Sequence, residues 1–206
     1  MTITSSNQES NFGPSVGGLA RSVLFLVFFG ALWASIGING LNKLEEPWLA
    51  IVAMLIGLAL FIAGVSLSRA SRRSSTQAPT NTQEVQHRNK WFRIIFATEL
   101  IAILIAYVIC SAVNRFDLFF PVMMLIVGIH FFPLAALFQI RRYYGTGSLL
   151  CILAVITLLA APEQIRLSGM QIQIWWVILG LGGACILWGV GFVNWIQGKR
   201  LLTQRK

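Results

Sequence analysis

Two residues in this chain have side chains that can exchange a proton and sit inside otherwise apolar runs. Glu99 lies in "FATELIAILIAYVIC" and His130 in "LIVGIHFFPLAALF". A carboxylate and an imidazole together can hold, share or pass a proton, because imidazole titrates near neutrality and its neighbours move it across that range. The other six acids, Glu9, Glu45, Glu46, Glu84, Asp117 and Glu163, fall in polar connecting stretches, and so does the second histidine, His87. Pro133, three residues after His130, withdraws one helical amide and displaces the carbonyl of Ile129. That leaves a local polar spot beside the ring.

The apolar runs must be explained before the chemistry. The chain has 206 residues, 56% of them hydrophobic and 11% charged, with a mean hydropathy of +0.73. A water-soluble domain of this length needs far more polar surface. The hydrophobic residues also come in blocks of roughly 20, the length a helix needs to cross a bilayer. The blocks predict an all-α polytopic bundle of six transmembrane helices, at about 22–41, 48–67, 92–113, 118–139, 145–163 and 174–196. A disordered tail at 1–18 precedes the transmembrane domain of 19–198. A flexible basic loop occupies 68–90, and a basic tail 199–206 follows. The fifth block is the weakest, with a core at Leu149–Ala161.

Charge sets the expected orientation. Six spans put the amino terminus, the 68–93 region, the 141–148 region and the carboxyl tail on one side. Thirteen of the 16 Lys and Arg residues fall there, and only Lys43, Arg115 and Arg166 on the other. The positive-inside bias then places both termini in the cytoplasm, in a multi-pass inner (plasma) membrane protein. The net charge of +9 is spread between hydrophobic blocks, so it suits anionic lipid head groups and not nucleic acid.

Lipid is a poor solvent for a carboxylate, so Glu99 is expected to face the bundle interior. Ala102, Ala106 and Cys110 follow it on the same helical face, all with small side chains. Measured from Arg93 and Arg141, the axial offset between Glu99 and His130 is about 7–8 Å at 1.5 Å per residue. Direct contact then requires a tilt, a kink or a bridging water.

Two further patches stand out. Arg141, Arg142, Tyr143 and Tyr144 form a snorkelling, aromatic edge suited to anions or lipid head groups. Gly180, Gly183 and Ala184 give the last span a close-packing face for a neighbouring helix, a second copy or another membrane subunit. "LWASIGIN" (32–39) resembles "LWGVGFVN" (187–194), but an inverted repeat of three spans would pair the first span with the fourth. The match is therefore read as coincidence. Cys110, Cys151 and Cys185 form no CxxC pattern, and neither a metal, a cofactor nor a catalytic set is indicated.

The block Val127–Ala135 followed by "YYGTG" resembles an uncharacterised family of small multi-spanning bacterial membrane proteins. Their shared stretch reads Val-Gly-Leu-His-Phe-x-Pro-Leu-Ala. Here Ile129 stands in place of the leucine. The resemblance implies a bacterial inner-membrane protein in which His130 has a task, and it implies no activity. From the residues, the expected function is that of a small transport, permeation or sensing protein working through a Glu99–His130 site. The alternative is a structural or partner-binding subunit that docks through its glycine faces.

Overall fold

The computed structural model describes residues 15–41, 47–74, 82–138, 140–167 and 170–204. It contains six long helices: α1 (Val16–Gly40), α2 (Pro47–Ser74), α3 (Thr82–Ala112), α4 (Phe119–Phe138), α5 (Arg142–Ala160) and α6 (Ile174–Thr203). All six are long and apolar enough to cross a membrane. The segment 68–90, expected as loop, is helical over 68–74 and 82–90, because α2 and α3 run on past their apolar blocks. Residues 1–14 of the expected tail lie outside the described residues, and Val16–Gly18 already belong to α1.

The helices divide into two classes by packing. In α1, half of the most apolar window is buried against protein, while α2 and α3 bury only 11% and 17% of theirs. A core of α1, α4, α5 and α6 therefore carries two peripheral helices, α2 mainly against α1 and α3 mainly against α4. Leu26, Met124, Leu150, Leu179 and Leu187 fill the centre. The exposed apolar side chains of α2 and α3, such as Met54, Ile62, Ile101 and Val108, suit a lipid environment, where an apolar exterior costs nothing.

Antiparallel α1 and α6 form the most extensive contact. A Cβ on Gly180 would collide with the backbone of Gly37, and one on Gly37 would lie 2.6 Å from the nitrogen of Leu181. Two backbones approach this closely only where side chains are absent. The two like-sounding stretches both border this seam, at different levels along it. Trp33 packs on Gly183, and the Trp188 ring lies against Gly30, with its Nε1 donating to the Val27 carbonyl at 3.3 Å. Their shared pattern thus serves one interface from both sides.

The connection from α3 to α4 is short and well capped. Asn114 takes a left-handed conformation (φ 55°). The amides of Arg115 and Asn114 donate to the carbonyls of Cys110 (2.9 Å) and Ser111 (3.2 Å), the double bond of a Schellman ending. Arg115 also pairs with Asp117 at 2.9 Å.

Between α5 and α6 the chain forms an unexpected hairpin. β1 (Gln164–Leu167) pairs antiparallel with β2 (Met170–Gln173), Ile165 opposite Ile172. "QIRLSGMQIQ" carries the signal: alternating side chains either side of a two-residue Ser-Gly connection. Trp175 closes this end, its Nε1 donating to the Ala161 carbonyl at 3.1 Å.

Candidate functional site

On α3 a single face turns toward protein. Glu99, Ala106 and Cys110 are buried, whereas Leu100, Ile101, Leu104 and Ile105 are more than half exposed. The expected row of small side chains below Glu99 is the face that meets α4. His130 projects from α4 into the same seam, and both polar side chains are more than nine-tenths covered.

The two groups meet. His130 Nε2 lies 3.3 Å from Glu99 Oε2, closer than the axial offset inferred from Arg93 and Arg141. Those arginines are not equivalent depth markers: α3 continues as helix for eleven residues before Arg93, while α4 ends at Phe138, before Arg141. Nε2 nevertheless lacks a well-directed hydrogen-bond partner, so the contact is a close approach and not a linear bond. The helix passes through Pro133 unbroken.

Aromatic rings close the pair on the side where α3 begins. Phe96 presents an edge-on ring 6.4 Å from the imidazole, and Phe92 stacks beyond it at 6.1 Å. Phe92 in turn touches Phe138. In such surroundings an isolated charge on either group is costly unless the other balances it. As metal ligands, Glu99 and His130 provide two donors, and no third His, Cys, Asp or Glu joins them among the described residues.

The block that suggested a role for His130 is spent along α4 in an orderly way. Gly128 crosses α5 so closely that a Cβ would meet Cys151 Sγ at 2.6 Å and the Gly147 carbonyl oxygen at 3.0 Å. Phe131 sets its ring against Tyr143 at 5.5 Å, and Leu134 and Ala135 are fully covered. His130 alone in this block faces α3 with a polar group.

A second buried polar group was not foreseen. Ser22 of α1 and Tyr143 of α5 share a hydrogen bond of 2.5 Å between their hydroxyls, and Asn194 of α6 donates from Nδ2 to Ser22 Oγ at 2.9 Å. All three are buried, and Asn194 Oδ1 has no partner among the described residues. An Asn inside "GVGFVNW" is the signal that was available, since an amide in an apolar span needs a polar neighbour. Tyr143, expected at the head groups, instead turns inward.

The rest of that patch stays at the surface. Arg141 is exposed. Tyr144 is exposed and leans on Phe132 at 6.1 Å. Arg142 donates from Nη1 to Gln197 Oε1 at 2.9 Å. The glycine face of α6 is covered within the chain: Gly180 by Gly37, Gly183 by Met124 and Trp33, with Ala184 also buried.

Residues 19–189 match the family described as "Family of unknown function (DUF7010)", and the chain belongs to it. No curated protein and no solved structure matches the chain.

Proposed function

We propose that this member of an uncharacterised membrane family is a proton-responsive protein of small-solute permeation, transport or sensing. A proton held between Glu99 and His130 sets the position of α3 against the core. The observation that carries this reading is the 3.3 Å contact of two ionisable groups inside the bundle, on a helix that otherwise packs sparsely. Ionisable residues at membrane depth are costly and serve proton or ion pathways in many membrane proteins. A sparsely packed helix whose polar contact depends on a proton is a two-state element whose balance a pH change can shift.

The alternative, a subunit docking through the glycine faces, has less support, since Gly180 and Gly183 are occupied by α1 and α4. The excess of Lys and Arg on one side favours both termini in the cytoplasm. In that orientation Arg141, Arg142 and Tyr144 meet anionic head groups at the inner leaflet.

The test uses the purified chain in liposomes that contain a pH-sensitive dye, with spin labels reporting the α3–α4 distance. A pH step should move α3, and proton flux should accompany the movement in a permeation protein but not in a sensor. Both responses should fall about tenfold or more in Glu99→Gln and His130→Ala, the loss expected when a proton site is removed. An unchanged pH response in both variants would sink the proposal.

A further inference from the structure

The end of α3 that precedes Glu99 carries a concave surface of a different kind. A groove of about 660 Å³ runs along it, lined by Gln86, Asn89, Lys90, Phe92 and Arg93. Gln86, Asn89, Lys90 and Arg93 fall at i, i+3, i+4 and i+7, so helical periodicity sets two amides and two cations on one face. All four are exposed, and Phe92 is half-buried. Phe92 stacks on Phe96 and touches Phe138, which separates the groove from the covered Glu99–His130 pair.

Charge is the selective feature. Among the described residues, the ion pairs join Arg115 to Asp117 and His130 to Glu99, so no acid balances Lys90 or Arg93. Two like charges one turn apart repel, and an anion set between them relieves that repulsion. The opposite end of α3 differs, since Arg115 there is already paired with Asp117 at 2.9 Å.

Depth identifies the kind of anion. The stretch of α3 able to cross a membrane begins at Asn89, and the exposed indole of Trp91 is of the type that settles in the head-group layer. From Gln86 to Arg93 the groove extends about 10 Å along the axis, at the level of lipid head groups. A phosphodiester at this depth meets both cations. A choline or ethanolamine head would bring its own ammonium beside them, with no acid to receive it. A glycerol head instead offers hydroxyls to the amides of Gln86 and Asn89.

We propose that this groove binds an anionic phospholipid with a hydroxyl-bearing, amine-free head, of the phosphatidylglycerol type, its phosphate between Lys90 and Arg93. Binding here needs neither the Glu99–His130 pair nor its proton, so it stands or falls separately from the proton-responsive function.

Photolabelling of the full chain in phosphatidylcholine vesicles tests the assignment. The vesicles carry a trace of phosphatidylglycerol or of phosphatidylcholine, each with a diazirine at the glycerol end of one acyl chain, and labelled peptides are mapped. Phosphatidylglycerol should label residues 86–93 about twentyfold more than phosphatidylcholine, the preference that two basic groups near a membrane surface supply. Over 108–118, at the other end of α3, the two probes should label alike. Lys90→Gln and Arg93→Gln should each lower the preference about fivefold and together abolish it, with labelling over 108–118 unchanged as the sign of an intact fold. Glycerol 3-phosphate added in solution should not compete.

Equal labelling of 86–93 by the two probes would overturn the proposal. So would a preference just as strong over 108–118, the mark of general accumulation at the surface, or one that survives the double substitution. Displacement of the lipid by glycerol 3-phosphate would overturn it as well, by making the groove a site for soluble anions.

Discussion

The two buried polar groups of the bundle are built on opposite plans. Ser22, Tyr143 and Asn194 join three core helices along the α1/α6 seam, the most extensive contact in the bundle. Glu99 and His130 join α4 to a helix that buries little else. The first group is uncharged and held by two side-chain hydrogen bonds. The second is ionisable and only approximately aligned. Polarity in a dense seam can specify which helices pair, whereas polarity in a sparse seam can be altered without dismantling the bundle. The proposed function rests on this difference, with structure at one site and response at the other.

The largest expected effect comes from breaking the dense seam itself. Gly180→Leu forces α6 away from Gly37, at a cost of about 3 kcal/mol or more, and should abolish recovery of monodisperse protein in detergent. Normal recovery and melting would show that the close crossing is not needed.

Next, Asn194→Leu should lower stability by about 1–2 kcal/mol, because the buried Ser22 hydroxyl loses its amide donor. The pH response should survive in the folded fraction. A denaturation midpoint equal to that of the unaltered chain would remove the structural role given to this cluster.

Smaller again is Glu99→Gln, expected to change stability by about 1 kcal/mol or less while abolishing the pH response. A double-mutant cycle with His130→Ala should return a coupling of about 1 kcal/mol. A coupling near zero would mean that the two groups are neighbours without interacting.

The smallest effect is reserved for Arg115→Ala. Its ion pair with Asp117 lies at the surface, where such pairs contribute about 0–1 kcal/mol, and the melting temperature should move by no more than a few degrees. A larger drop would show that the short α3–α4 turn depends on its ion pair and not on the backbone cap at Asn114.

Most of the architecture could be read from the residues. Hydrophobic block length located all six helices, because lipid leaves the backbone few other solutions. The small face of α3 and the inward turn of Glu99 followed from helical periodicity. What failed to show has physical reasons. Helices α2 and α3 continue into polar sequence, where hydropathy carries no helical signal, and so Arg93 gave a false depth for Glu99. The hairpin after α5 was hidden because alternation over four residues is faint beside blocks of twenty. Tyr143 next to Tyr144 looked like an interfacial pair, yet consecutive helical residues point about 100° apart, and only Tyr144 faces outward. The partnership of Ser22 with Asn194 joins positions 172 apart, and no local pattern encodes that distance.

The crossing of Gly37 and Gly180 also has a bearing on biogenesis. Among the six, α1 finds its principal mate in α6, so a nascent chain must shelter a bare glycine strip on α1 while the four helices between them are threaded. Premature termination anywhere before α6 leaves that strip, together with the Trp33 indole, without cover.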